Sequence, residues 1–255
     1  MLVHIGAREA NLLYGREMGK LLVAKYPSNL DKGEIPAYTP AEVAYWLGIR
    51  ESTLRSWIYG RAYPTRAGSR FFPPLIVPAD SDNGFLSFNN LGEAHVLAAT
   101  RYKYQVPLKA IRRAIDHLRS SYPASHPLLS KEFYTDGVDV FTKTVEQTIN
   151  LSRQGQLGLR PILDKFLQHI ERDKKFRPTK VYPIVPGQPN EDKVVSITSG
   201  VSSGRPAIDG TGIPVSVIWQ RHKAGDDIET LADDFDVPAK KIKRAIDYVS
   251  HLKAA

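Results

Sequence analysis

The run Tyr38-Thr-Pro-Ala-Glu-Val-Ala-Tyr-Trp-Leu-Gly-Ile-Arg-Glu-Ser-Thr-Leu-Arg-Ser-Trp57 decides the fold. Thr39 can cap a helix, Pro40 suits its first turn, and Glu42, three residues after the cap, completes a capping box. Val43, Ala44 and Leu47 then share one face, and Gly48 ends the helix. Ile49 turns the chain into Ser52–Ile58, where Leu54, Trp57 and Ile58 repeat the apolar spacing of a helix, with Trp57 expected in the core. Two short helices joined by a glycine-containing turn form a helix-turn-helix.

Two apolar runs follow, Leu75–Val77 and Phe85–Phe88, around Asp80-Ser-Asp-Asn-Gly84. The Asn-Gly pair is a hairpin signal and predicts a β wing there. Helical periodicity resumes at about 89–102 and 107–118, the second with Leu108, Ile111, Ile115 and Leu118 as its buried stripe. A winged helix-turn-helix is thus expected over residues 37–119, preceded by an extension, 1–36, with a helix-like run from Ala10 to Val23. A central α+β segment and linker, 120–190, should hold a tight hairpin around Asp136-Gly137, a helix from Pro161 to Ile170 and a short strand within Arg177–Ile184. The last unit, 191–255, reads as three helices: one from Val215 to Lys223, one capped by Asp227, and one entered through Val237-Pro238. The fold class expected is mainly α with small β elements: a winged helix-turn-helix, a small α+β centre and a carboxyl-terminal trihelical, helix-turn-helix-like domain.

Composition narrows the function. With 42% hydrophobic and 24% charged residues the chain has the make-up of a soluble globular protein. No apolar run approaches the roughly 18 residues a membrane helix requires, and no leader is expected, so the cytoplasm is the default and no membrane partner is implied. Zero cysteines exclude disulfides, thiolate metal sites and cysteine nucleophiles. The net charge of +8 favours a polyanionic partner. It is concentrated in the first half and the middle: 37–119 holds 11 Lys/Arg against 6 Asp/Glu, 160–180 holds 7 against 3, and 181–255 holds 9 against 10.

Catalytic constellations are missing from the pattern. The seven histidines never adopt metal-ligand spacing, and His95 sits in an apolar helix where a core role outweighs a functional one. The acids Asp226, Asp227, Glu229, Asp233, Asp234 and Asp236 gather at a helix start and an exposed face, where the helix dipole already favours them. Gly200-Val-Ser-Ser-Gly-Arg-Pro-Ala-Ile-Asp-Gly-Thr-Gly-Ile-Pro-Val215 is glycine-rich but lacks the Gly-Lys-Ser/Thr of a P-loop and the G-x-G-x-x-G of a dinucleotide site. Its glycines read as positions of positive φ. No cofactor, metal or catalytic residue is expected.

DNA explains the basic first half better. In a winged helix-turn-helix the second helix enters the major groove, which places Arg50, Ser52, Thr53, Arg55 and Ser56 against base edges and backbone. Arg61, Arg66 and Arg70, in what reads as a Gly/Pro-containing loop, suit phosphates. A solvated basic surface is the alternative, and the two acids of the Asp80–Gly84 turn argue against a wing tip there that grips phosphates.

Residues 38–57, with Leu86–Val96 and Val106–Arg112, resemble the opening of MerR-type winged helix-turn-helix domains. Gly204-Arg-Pro-Ala-Ile-Asp-Gly-Thr-Gly-Ile-Pro-Val215, with Ala224-Gly225 and Ile228–Ala232, resembles a trihelical domain common in bacterial antitoxins. Together with Tyr134–Gly137 and Gly155-Gln156, the combination is similar to the larger VapB-type antitoxins, over nearly the whole chain after residue 36. The resemblance implies a protein that neutralises a PIN-domain ribonuclease toxin and represses its own operon as a homodimer on palindromic operator DNA. It implies a phosphate contact for Arg55. Gly212 departs from the terminal motif, where Arg is usual, and the long dimerising helix of MerR regulators is absent. Arg172, Lys174, Lys175 and Arg177 are the candidate toxin contacts, set against the reading of an exposed helix end whose cations favour the dipole. A stand-alone MerR-like regulator is the alternative function, and a nucleotide-dependent enzyme a more distant one.

Overall fold

The computed structural model describes residues 31–65, 68–102, 106–149, 153–184 and 193–254. The helix-like run expected at 10–23 lies outside them. Thr39 opens α1 (Pro40–Trp46) as anticipated: its hydroxyl accepts from the Glu42 amide at 3.2 Å, and the Glu42 carboxylate accepts from the Thr39 amide at 2.9 Å. Gly48, at φ +62°, turns the chain into α2 (Glu51–Ile58), whose Leu54, Trp57 and Ile58 are buried.

The wing follows directly as β1 (Arg61–Thr65) and β2 (Gly68–Phe72), antiparallel with Arg61 opposite Phe72 and Tyr63 opposite Arg70. It does not lie at Leu75–Phe88, where the sequence signal placed it. The Asp80–Gly84 turn instead folds on itself: the Asp80 carboxylate accepts from the Asp82 and Asn83 amides and from the Asn83 side chain. Pro64 obscured the true strand, yet a two-stranded ribbon tolerates a missing N–H at its edge. Gly60 makes the sharp entry possible, since at φ +74° a Cβ there would stand 2.2 Å from the Phe72 carbonyl.

Helices α3 (Phe88–Tyr102) and α4 (Leu108–Ser121) match their periodicity. Between α4 and the next helix the chain departs from expectation. Residues 133–142 are not a hairpin but a π-helical turn, Phe133–Gly137, running into α5 (Val138–Ile149). Asp-Gly mimicked a turn, but Val138, Phe141 and Val145 recur at helical spacing and are all buried, with α5 packed along α4. Helix α6 (Arg153–Gln168) also begins earlier than expected, with Pro161 inside it. The stripe Leu159, Ile162, Leu163, Phe166 and Leu167 is buried on both sides of the proline and offsets the roughly 3 kcal/mol a mid-helix proline costs.

A four-stranded antiparallel sheet completes the centre, in the order β3 (Ile170–Arg172), β4 (Pro178–Val181), β5 (Val195–Thr198), β6 (Ala207–Ile208). Then come α7 (Val215–Ala224), α8 (Ile228–Phe235) and α9 (Ala239–Ala254). Asp227 caps α8, accepting from the Thr230 amide at 2.7 Å, and Asp236 in the left-handed region turns α8 into α9. One hydrophobic cluster runs from Tyr38 to Ile197 and a second from Val195 to Leu252. Strand β5 contributes to both.

Contacts at α1 join the two clusters. The Tyr248 hydroxyl on α9 donates to the Trp46 carbonyl at 2.6 Å, at the carboxyl end of α1. At the other end Gly204 lies so close to Tyr38 that a Cβ would stand 2.1 Å from its hydroxyl. Tyr248→Phe should therefore lower stability by about 1–3 kcal/mol, the cost of a buried carbonyl left unsatisfied. A urea midpoint equal to that of the wild type would show that the Trp46 carbonyl does not depend on this bond.

A second tie secures the segment before α1. His126 lies between two carboxylates, Nδ1 at 2.9 Å from Glu93 and Nε2 at 2.8 Å from Glu34. Glu93 on α3 is 2% exposed. Burial works against protonation of His126, but the hydrogen bonds to Glu34 and Glu93 and their charges outweigh it, pushing the imidazolium pKa up to about 10. His95, by contrast, is fully buried with its ring 4.8 Å from that of Phe166, and burial drives its pKa down to about 3. It is a neutral core residue.

Candidate nucleic-acid interface

Helix α2 presents its polar side because its apolar side is spent on the core. Leu54, Trp57 and Ile58 point inward, leaving Arg50, Ser52 and Arg55 exposed and Thr53 and Ser56 half-buried. Arg50 is the N-cap residue. The Ser56 hydroxyl donates to the Thr53 carbonyl at 2.7 Å, a bond within the helix. Arg55 pairs with Glu51 one turn back at 3.4 Å and lies over the Tyr59 ring at 5.1 Å. Its side chain remains 53% exposed, so the pair is a solvent-screened one that an incoming phosphate can displace.

The wing supplies the rest of the positive surface. Residues opposite each other in an antiparallel ribbon share a face, so Arg61, Tyr63, Arg70 and Phe72 lie together on one side of it. Tyr63 and Phe72 stack at 3.9 Å, and Arg61 and Arg70 are exposed beside them. Arg66 falls outside the described residues. The whole stretch 59–72 contains three arginines and no acid. The acids that argued against a phosphate-gripping wing belong to the separate Asp80 turn.

Sequence reasoning missed the residues that hold this wing. Arg112 on α4 is 7% exposed, lies over Phe72 at 4.9 Å and donates to the Pro73 carbonyl. Burial lowers its pKa from the usual guanidinium range. Arg119, two turns on, donates to the Leu75 carbonyl at 2.8 Å. Nothing in the spacing separates Arg112 from its exposed neighbour Arg113; the contacts that do so are long-range.

The second basic cluster is not a helix end. Arg172 closes β3, Lys174 and Lys175 sit in the β3–β4 turn, and Arg177 precedes β4, so the dipole argument for their placement falls away. Arg172 lies over the Tyr134 and Phe176 rings at 5.1 and 4.8 Å, and the two rings meet each other edge to face at 5.6 Å. Arg177 is bound to Asp173 at 2.5 Å and Asp31 at 3.1 Å. Lys174 and Lys175 are exposed, with no ion pair among the described residues. The described residues hold no group of three or more His, Asp or Glu that would bind a metal, and no described helix is long and apolar enough to cross a membrane.

Fold and surface define a winged helix-turn-helix DNA-binding protein. The comparisons agree: the family described as "Putative DNA-binding HTH domain" matches residues 36–115, and "Protein of unknown function (DUF433)" matches 195–249. Over most of its length the chain is similar to a VapB-type antitoxin. It is 26% identical over 233 residues to "Putative antitoxin VapB45" of Mycobacterium tuberculosis (strain ATCC 25618 / H37Rv), spanning 85% of this chain and 95% of that one. It is 27% identical over 231 residues to "Uncharacterized protein Rv2308" of the same strain, spanning 86% and 92%. The crystal structure of Rv2018 from Mycobacterium tuberculosis shares the fold, with a TM-score of 0.61 at 24% identity over 84% of this chain and 98% of that one.

Proposed function

We propose that the protein is an antitoxin that binds and inhibits a PIN-domain ribonuclease toxin and, as a homodimer in the cytoplasm, represses its own operon through operator DNA. The observation that carries the DNA half is the acid-free arginine wing beside the exposed polar face of α2. In this reading Ser52 and Thr53 face base edges, and Arg50, Arg55, Arg61, Arg66 and Arg70 grip the backbone, which positions the protein without reading sequence. The antitoxin half rests on the near full-length similarity to a chain so named.

The toxin contact is assigned to the 172–177 cluster. Its division of labour follows the geometry: Arg172 and Arg177 are held by rings and carboxylates, while Lys174 and Lys175 at the turn are free to meet the carboxylates of a nuclease centre. Exchanging Lys174 and Lys175 for Glu should abolish inhibition of the ribonuclease in a cleavage assay while leaving the fold and DNA binding unchanged. Undiminished inhibition by this double variant would place the toxin contact elsewhere. Co-expression with the product of the neighbouring gene tests the antitoxin reading as a whole. A stable complex that silences a ribonuclease and shifts operator DNA is expected. A DNA shift with no such partner would instead indicate a stand-alone regulator.

A further inference from the structure

The glycine-rich stretch 200–212 is not a P-loop, yet it walls a cleft of about 360 Å³. β4 and β5 supply Lys180, Ser196 and Thr198, and the stretch itself supplies Val201, Arg205 and the Asp209–Gly212 turn. The volume falls near the lower end of the about 300–1,000 Å³ typical of small-ligand sites. We propose that this cleft binds the oxyanion group, phosphoryl or carboxylate, of a small molecule.

Charge is the first argument. Lys180 is already compensated, 2.9 Å from Asp209 and 3.5 Å from Glu171. Arg205 is exposed and forms no ion pair among the described residues. Arg205 is therefore the cation of the lining left to meet an anion, and its planar fork suits two oxygens at once.

The backbone is the second argument, independent of the first. Gly210 and Gly212 have φ of +81° and +71°, and Thr211 between them does not share the positive sign. Such an alternation curls successive N–H groups into an anion-binding concavity. The Thr211 amide bonds the Ile208 carbonyl, but the Gly210 and Gly212 amides meet no acceptor among the described residues. A Cβ on Gly210 would touch nothing within 4 Å, so the glycine serves the backbone shape rather than close packing. Val201, 42% exposed at the rim, offers an apolar surface to the body of the ligand.

The test is an amide-resolved NMR titration of the full chain with inorganic phosphate and, separately, with citrate, against chloride at matched ionic strength. Saturable shifts at the Gly210 and Gly212 amides are expected from at least one of the two. Phosphate alone would assign a phosphoryl ligand, citrate alone a carboxylate, and both the shared oxyanion chemistry. Arg205→Ala should weaken binding roughly tenfold or more, and Thr198→Val severalfold, as lost charged and neutral hydrogen bonds respectively. Because Arg205 is exposed, the rest of the spectrum should be unchanged. Shifts that never saturate with either anion, or an Arg205→Ala titration that matches wild type, would overturn the proposal.

Discussion

Replacing Arg55, Arg61 and Arg70 together with alanine should weaken DNA binding roughly a hundredfold near 0.15 M salt and flatten the log–log salt dependence by about 2.7 units. Each phosphate contact releases counterions with a slope of about 0.9, equivalent to about 0.7 of a log unit of affinity at that salt, and three such contacts add up. All three side chains are exposed, so the variant should fold as the wild type does. Single variants separate their roles: a pure phosphate contact weakens all sequences equally, whereas a base contact relaxes specificity at one position. If the triple variant keeps its salt slope, the DNA surface lies elsewhere.

His126→Ala should cost about 3–5 kcal/mol of stability near neutral pH, because it strands the buried Glu93 carboxylate without its counter-charge. The pH dependence gives a second signature. The pKa of His126 is raised in the folded state, so its contribution is fully present below the ordinary imidazole value of 6.5 and is lost as pH rises through about 10. Glu34 behaves in the opposite sense. The hydrogen bond from His126 depresses its pKa below 4.5 despite partial burial, and its contribution is lost as pH falls through that lowered value. Wild-type denaturation midpoints should therefore decline on both flanks, and the decline above neutrality should be missing in His126→Ala. A variant with the same alkaline profile would show that another group is responsible.

Local chemistry made much of the helical architecture legible. The Thr39–Glu42 box, the Gly48 stop, the Asp227 cap and the apolar spacing in 54–58 each act within a few residues, and each is found as read. The sequence misled where a local signal met a stronger distant one. Asp136-Gly137 lost to the packing of Val138, Phe141 and Val145 against α4. Pro161 lost to the continuous stripe on α6. The wing went unseen because its stabilising contacts, Tyr63 on Phe72 and Arg112 on Phe72 and Pro73, join residues up to about forty positions apart, a separation no periodicity records. At the candidate interface the exposed residues of α2 were visible from spacing alone. The shared face of Arg61 and Arg70 required the strand register, and the supporting role of Arg112 required the fold.

The grip on α1 has a consequence for how such chains diversify. Tyr38 and Trp46 bracket the first helix of the DNA-reading unit, and both are touched by the carboxyl-terminal unit, through Gly204 and Tyr248. The reading head is therefore not an interchangeable cassette. Grafting a foreign helix-turn-helix over residues 36–115 would present Gly204 with the wrong ring and Tyr248 with the wrong carbonyl, so a transplanted specificity has to bring both ends of that helix with it.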